Sequence, residues 1–195
     1  MSQPARARTT LAEFWAIPEE ERFHELIDGE LTPKASPSGE HGRAQAGLVG
    51  TVHSRFQRKP GGAGGPGGWW ISVEIELLLD TGDLVRPDVI GWRRERSPEH
   101  PTGTPVRLCP DWVCEILSPS NANHDTIAKL RLYHRVAIPH YWIVDPHAQT
   151  LTVMRWSADG YVTRLSAERG ETVRAEPFDA IEIAVGTLFG DDPPE

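Results

Sequence analysis

The sequence has few of the features that mark secreted, membrane-spanning or zinc-binding proteins. It has only two cysteines in 195 residues, Cys109 and Cys114, and their spacing fits no zinc or redox motif. We therefore expect both thiols to be reduced and the protein to be cytoplasmic. No run approaches the length that spans a bilayer, and residues 1–10 lack the apolar core of a signal peptide. These absences predict a protein with no membrane association.

An excess of positive charge is also missing. The net charge is -8, so no global basic field draws the protein to nucleic acid. This argues against a DNA-binding protein that relies on bulk charge, but it leaves room for an enzyme with a local basic patch. The candidates are residues 55–59 (Arg-Phe-Gln-Arg-Lys) and 93–96 (Arg-Arg-Glu-Arg). Each alone is more typical of a solvated loop or helix end.

Length and composition indicate one globular domain. The chain is 38% hydrophobic and 25% charged, which is ordinary for a folded domain, and 195 residues are few for two domains. We predict a single domain over residues 1–195, with its core at about 20–190. The termini, 1–8 and 191–195, are polar and are expected to be loose.

The N-terminal third predicts helices around a hairpin. Asp28-Gly29 suits a tight type I′ turn between two strands. Apolar residues that recur every four positions predict a long helix, and the glycine-rich run after it predicts a flexible connector. The predicted elements are a helix at 10–17, strands at 22–27 and 30–34, a helix at 40–59 and the connector at 60–68.

The remainder predicts an α/β core of the order αβββαβ, with a mixed central sheet flanked by helices. A helix between two buried strands favours a parallel pair with a right-handed crossover, whereas the preceding hairpin is antiparallel. The predicted elements are strands at 69–79, 84–92 and 112–117, a helix at 123–136 and a strand at 141–144. Extra strands follow at 151–156, 161–165 and 172–174.

Two carboxylates lie inside apolar strand-like runs. Asp88 follows Arg86-Pro87 and precedes Val89-Ile90, and Glu115 lies between Val113 and Leu117. A buried carboxylate is costly unless it is paired, hydrogen-bonded or bound to a cation. Oxygen ligands from adjacent strands suit a hard ion, Mg²⁺ or Mn²⁺, which can orient a water and offset charge on a phosphoryl oxygen. For Asp88 the alternative is a simple turn cap.

A lysine on the next predicted helix extends this pair. Asp125, Lys129 and Tyr133 are spaced by four residues and so share one face. A lysine aimed at the carboxylates would hold the attacking water or stabilise charge on the phosphorane. The spacing equally fits a surface ion pair between Asp125 and Lys129.

Taken together, these segments resemble the Uma-type restriction endonuclease family of the PD-(D/E)XK nuclease superfamily. The resemblance runs from about Phe23 to Phe189 and is carried by the combination of motifs. They are Arg-Pro-Asp-Val, Pro-Asp-x-Val-x-Glu-Ile-Leu-Ser-Pro-Ser-Asn, Asp-x-x-x-Lys-x-x-x-Tyr and Ile-Pro-x-Tyr-Trp-Ile-Val-Asp-Pro. The resemblance implies a restriction-endonuclease-like fold, Mg²⁺-dependent phosphodiester hydrolysis, most naturally of DNA, and a homodimer.

The resemblance also implies roles for individual residues. Asp88 and Glu115 correspond to the motif acids that bind metal, together with the Ile116 carbonyl. The superfamily lysine normally lies two residues after the acid, where this chain has Leu117, and Lys129 on the next helix takes its place.

Other positions are secondary candidates in the same resemblance. Glu25 matches a glutamate that approaches the site, or is a strand-edge charge. His41 is a helix cap or a group at the edge of the site, and Tyr133 is expected to pack with its hydroxyl near the site. Glu74 and Glu76 lie beside the motif hairpin without an assignable role.

Three alternatives remain at this stage. The first is a non-catalytic nucleic-acid-binding or accessory module on a nuclease fold, which the net charge and the missing strand lysine favour. The second is a metal-dependent hydrolase of another phosphate ester, and the third is a purely structural carboxylate cluster.

Overall fold

The computed structural model describes residues 8–34, 36–118 and 122–193, with the side chains of 122–125 outside that description. Its α-helices are α1 (Leu11–Trp15), α2 (Gly39–Phe56) and α3 (Ala122–Arg135), with short 3-10 helices at Glu19–Glu21 and Val185–Phe189. The strands are β1 (His24–Ile27), β2 (Glu30–Pro33), β3 (Trp69–Val73), β4 (Leu77–Leu78), β5 (Leu84–Val85), β6 (Val89–Arg93), β7 (Trp112–Ile116), β8 (His140–Asp145), β9 (Thr150–Ser157), β10 (Gly160–Glu168), β11 (Thr172–Val173) and β12 (Ile183–Ala184).

The strands form a mixed central sheet with two smaller sheets beside it. The main sheet has the order β10-β9-β8-β7-β6-β3, and a four-stranded sheet has the order β2-β1-β5-β4. β7 and β8 are parallel and α3 crosses between them, whereas the neighbouring pairs of the main sheet are antiparallel. This confirms the predicted fold class, an α/β core with a mixed sheet.

Alternating side chains give each face of the main sheet its own helix. Trp112 and Cys114 of β7 lie in a core with the buried stripe of α2. Val113, between them, points to the other face and packs in a second core with Leu132 and Tyr133 of α3. Glu115 is two residues after Val113 and therefore faces α3, which is how the fold brings a buried strand acid to that helix.

The motif hairpin is shorter than its sequence indicates. One long strand was expected at 69–79, but Glu74 has φ +52°, a left-handed conformation that ends β3, and β4 follows separately. The partner is divided too, because Pro87 has no N–H to give a sheet ladder. β5 therefore joins the four-stranded sheet, called the small sheet below, and β6 joins the main sheet. Asp88 lies where the chain passes from one sheet to the other.

The glycine-rich run is folded back on the end of α2 and does not extend as a connector. The N–H groups of Gly67 and Gly68 donate to the carbonyls of Arg55 and Arg58 at 3.1 and 2.7 Å. Gly67 has φ +67°, and a Cβ there would lie 2.3 Å from the Lys59 carbonyl oxygen. Glycine is required by this close approach, which the sequence alone does not reveal.

His140 makes the fold sensitive to acid. It begins β8, is only 8% exposed, and its Nδ1 has no hydrogen-bond partner among the described residues. Burial, together with Arg93 and Arg155, lowers the pKa of His140 to about 4. In the unfolded chain the imidazole titrates near its ordinary value of about 6.5. Protonation of His140 therefore does not reduce the stability of the folded state above pH 6.5. As the pH falls from there towards 4, the unfolded chain takes up the proton more readily and the free energy of unfolding decreases.

We expect His140→Gln to lower the pH dependence of folding. Between pH 7 and pH 5 the free energy of unfolding should fall by about 1–2 kcal/mol more in wild type than in the variant. Each pH unit over which the two states differ by one bound proton is worth at most about 1.4 kcal/mol. Urea unfolding at the two pH values measures this. His53→Gln, on the exposed side of α2, is the control and should behave as wild type. Equal pH dependence in both variants would contradict the assignment.

Candidate metal and catalytic site

A cleft opens between the main sheet, the four-stranded sheet, the first turn of α2 and the middle of α3. It encloses about 530 Å³, including open solvent. Its polar lining comes from seven separate segments of the chain and includes Glu25, Lys34, His41, Asp88, Glu115 and Lys129. Among these are Asp88, Glu115 and Lys129, the three residues that the sequence nominated first, so the fold brings them to one place.

Asp88 is held at the mouth of the main sheet. Its Oδ2 accepts a hydrogen bond from the Ile116 N–H at 2.7 Å, which ties it to the end of β7. Its Oδ1 lies 2.9 Å from Lys34 Nζ and 3.5 Å from His41 Nε2. The second distance suits an ion pair better than an aligned hydrogen bond. Asp88 is thus held through both of its carboxylate oxygens.

Glu115 and Glu25 hold Lys129 between them. Lys129 Nζ lies 3.0 Å from Glu115 Oε2 and 3.0 Å from Glu25 Oε2. Glu115 Oε1 accepts a hydrogen bond from the Tyr133 hydroxyl at 2.5 Å, and Glu25 Oε1 accepts the Arg86 N–H at 2.7 Å. Lys129, Tyr133, Glu115 and Glu25 are all buried. Lys129 therefore belongs to a deeply buried ion-pair network and is not a solvated surface lysine.

The environment separates the pKa values of the two motif acids. Burial raises the pKa of Glu115 to about 7, and the charges of Asp88 and Glu25 add to this against the lowering effect of Lys129. Burial opposes ionisation of Asp88 too, but His41, Lys34 and Lys129 hold the pKa of Asp88 below its ordinary value. Burial disfavours the Lys129 ammonium, yet Glu115 and Glu25 raise its pKa well above the ordinary value. Lys129 is therefore a permanent cation.

A second lysine in the cleft was missed by sequence reasoning. Lys34 follows β2, and its Nζ donates to the Arg86 carbonyl at 2.5 Å and lies 2.8 Å from Glu74 Oε2. Burial lowers the pKa of Lys34, but Asp88 and Glu115 reverse this and the pKa is raised. The only sequence signal was its place at the end of the hairpin that carries Glu25.

Glu74 is the other addition, and Gln45 of α2 anchors it. The Gln45 side-chain amide donates to Glu74 Oε1 at 3.2 Å and to the Asp88 carbonyl at 2.9 Å. His41, Glu74 and Asp88 offer ligand atoms within 4.8 Å of one another. The Lys34 ammonium already contacts Glu74 and Asp88, so it competes with an ion for the same oxygens.

The donor set fits a hard divalent cation. Four carboxylates face two ammonium groups in and around the cleft, namely Glu25, Glu74, Asp88 and Glu115 against Lys34 and Lys129. With all four acids ionised, an excess of two negative charges remains, and protonation of His41 or of Glu115 would each lower it by one. Buried carboxylates without enough counter-charge favour a bound cation, and oxygen donors suit Mg²⁺ or Mn²⁺.

The remaining candidates have varied positions. The side chain of Asp125 lies outside the described residues. Ile116 lines the cleft and donates its N–H to Asp88, and Leu117 also lines it, with no charge to offer. Glu76 is outside the cleft and pairs with Arg86 at 3.0 Å.

The chain is similar to known proteins over most of its length. A family model described as "Uma2: Putative restriction endonuclease" matches residues 11–186. A crystal structure described as a putative nuclease belonging to DUF820, from Anabaena variabilis, superposes with a TM-score of 0.73 at 22% identity, covering 92% of this chain and 97% of that one. At this identity the likeness establishes the fold. No curated protein matches. Within the described part of the chain, no helix is long and apolar enough to cross a membrane.

Proposed function

Given that the chain belongs to the Uma2 family, described as putative restriction endonucleases, we propose that it is a metal-dependent endonuclease that hydrolyses phosphodiester bonds of DNA. The observation that carries the proposal is one cleft in which Asp88, Glu115 and Lys129 converge with an excess of carboxylate charge. Neither the metal nor the substrate is given by the family description, and both are part of the proposal.

The two motif acids are the proposed ligands of Mg²⁺ or Mn²⁺. Asp88 and Glu115 would hold the ion, with the Ile116 carbonyl as a further ligand. When bound, such an ion supplies positive charge against the charge that develops on the phosphoryl oxygens. The hydrogen bond from Ile116 N–H fixes Asp88, and the hydrogen bond from the Tyr133 hydroxyl fixes Glu115, so both acids are held in place before an ion binds.

Lys129 is the proposed electrostatic group. Its raised pKa keeps it protonated at neutral pH, so it acts as a fixed positive charge and not as a general base. Glu25 positions it from the side opposite Glu115. In this proposal Lys129 orients the attacking water and stabilises the phosphorane, the role that the strand position occupied by Leu117 cannot fill.

Binding without cleavage is the second candidate. Leu117 lies where the superfamily has its lysine, and this observation favours an accessory module that recognises nucleic acid through the same fold. The homodimer expected from the resemblance stays a prediction for either function.

Metal binding is the direct test of the cleft. We expect calorimetry with Mn²⁺ to show binding on the order of millimolar or tighter, and Glu115→Gln to weaken it by at least about tenfold, since one charged ligand is removed. Glu76→Gln is the matched control, because it neutralises an ion-paired glutamate outside the cleft.

A phosphodiester completes many such sites, so the titration is repeated with a duplex oligonucleotide present. Failure of wild type to bind Mn²⁺ under both conditions would exclude the nuclease and leave the binding module. Equal loss in Glu115→Gln and Glu76→Gln would exclude this ligand set.

A further inference from the structure

The two basic stretches of the sequence, which are some 35 positions apart, meet in one groove. This groove lies beside the free edge of the main sheet and encloses about 1060 Å³, including open solvent. We define it by its larger side chains, Lys59, Trp69, Trp70, Arg93, Arg94 and Glu95, and call it the basic groove. We propose that the basic groove binds the sugar-phosphate backbone of nucleic acid at a distance from the cleavage site.

The glycine-rich loop builds one wall of the basic groove. Its hydrogen bonds with the last turn of α2 hold Lys59 next to the start of β3, where Trp69 and Trp70 lie. The carbonyl of Gly68 also accepts the Arg94 N–H at 2.9 Å, which ties the loop to the opposite wall. The loop therefore joins the two basic stretches, which explains its close packing on the helix end.

The arginines of the opposite wall are fixed by tryptophan rings. The Arg94 guanidinium lies 3.5 Å from the ring centre of Trp70, and the Arg93 guanidinium 4.8 Å from that of Trp69. Arg94 Nε also donates to the Trp69 carbonyl at 2.9 Å. A guanidinium held flat in this way loses little conformational entropy when it binds a phosphate through its remaining N–H groups.

The ion pairs in the described part of the chain involve other basic residues than these. The carboxylate of Asp111, which accepts the Arg93 N–H at 2.8 Å, is paired with the Arg96 guanidinium at 2.9 Å. Among the described residues no carboxylate forms an ion pair with Lys59, Arg93 or Arg94. Glu95 is the single acid of the groove lining and is exposed. In a protein of net charge -8, an unpaired group of three cations is a local reversal of the surface charge.

Phosphates in regular succession fit this arrangement. Guanidinium and ammonium groups along a groove match a backbone that repeats its charge every few ångströms. The choice of nucleic acid over an acidic protein rests on the proposed function. Arg93 and Asp88 are five residues apart along β6, or roughly 17 Å at about 3.3 Å per residue. That span equals about five base steps of a duplex.

The test uses the full-length protein, a labelled 20-base-pair duplex and fluorescence anisotropy in EDTA, where no cleavage occurs. The variant is Lys59→Gln/Arg93→Gln/Arg94→Gln. We expect its affinity to fall at least tenfold at low salt. The slope of log affinity against log salt should decrease in magnitude by up to about 2.7, or 0.9 for each phosphate that the variant no longer neutralises.

A control variant with the same change of net charge distinguishes an effect of the basic groove from an effect of the total charge of the protein. Arg107→Gln/Arg164→Gln/Arg174→Gln removes three exposed arginines from other surfaces. It should keep the wild-type salt slope within about 0.5. Lys59→Gln alone replaces an exposed side chain, so it folds, and its slope should fall by about 0.9.

Each outcome decides the matter. An unchanged slope in Lys59→Gln, an equal loss of affinity in both triple variants, or no metal-free binding by wild type overturns the basic groove while leaving the cleavage site untouched. Competition by polyglutamate as strong as by unlabelled duplex assigns the groove to acidic protein instead. Groove-dependent binding in a protein that never cleaves overturns the nuclease proposal and retains the groove.

Discussion

Asp88→Asn is expected to reduce plasmid cleavage by about 10³-fold or more, a loss of roughly 4 kcal/mol of transition-state stabilisation. The substitution removes one of the two charges proposed to hold the metal. The substitution also replaces an acceptor oxygen by an NH₂ donor. If the asparagine oxygen accepts the Ile116 N–H, its NH₂ group faces the Lys34 ammonium, which is a donor too. The measurement is the rate of supercoiled plasmid nicking with Mg²⁺ or Mn²⁺.

Asp83→Asn provides the matched control for this variant. Asp83 is also a buried aspartate, and its Oδ1 accepts the Asp28 N–H at 2.6 Å, but it does not line the cleft. The control should cleave at the wild-type rate. Thermal unfolding of both variants separates loss of chemistry from loss of fold. Cleavage by Asp88→Asn within tenfold of wild type would contradict a role of Asp88 in the reaction.

Lys129→Met is expected to have the largest effect on stability. It leaves Glu25 and Glu115 buried without the ammonium that both contact at 3.0 Å. Removing one partner of a buried ion pair costs about 3–5 kcal/mol, because the remaining charge is uncompensated. For a domain of this size we expect the melting temperature to fall by at least about 6 °C.

The pH dependence of this loss identifies its cause. Without Lys129, the pKa of Glu115 in the folded state rises further above its unfolded value. An acid whose pKa is raised in the folded state destabilises the fold increasingly as the pH climbs towards that pKa. The stability lost in Lys129→Met is therefore larger at pH 8 than at pH 6.

Arg135→Met is the control. Arg135 is on the same helix as Lys129, but its ion pair with Asp28 is exposed, so the substitution should cost under about 1 kcal/mol. Similar losses in the two variants at every pH would contradict a buried network.

The sequence reveals those parts of the fold and site that depend on local pattern. The stripe of α2, the Asp28-Gly29 turn and the β7-α3-β8 crossover follow from periodicity and turn chemistry, and all three are present. The four-residue spacing of Lys129 and Tyr133 correctly placed both on one helical face, and that face meets Glu115.

Other features depend on contacts between distant segments and could not be predicted. Lys34 reaches Asp88 only because the small sheet pairs β1 with β5, an arrangement that no local pattern encodes. The break at Glu74 requires a left-handed residue that carries a side chain, which propensity disfavours. The glycine-rich loop has the composition of a linker, yet it is held by carbonyls of a helix end that only the folded chain supplies.

The position of the ammonium on α3 also bears on how the protein is made. In a chain emerging from the ribosome, Glu25, Asp88 and Glu115 are all synthesised before Lys129. Until α3 has emerged and docked, these acids repel one another and lack the charge that holds them together. A chain that ends before Lys129 therefore has the acids of the cleft but lacks the ammonium that pairs with Glu25 and Glu115.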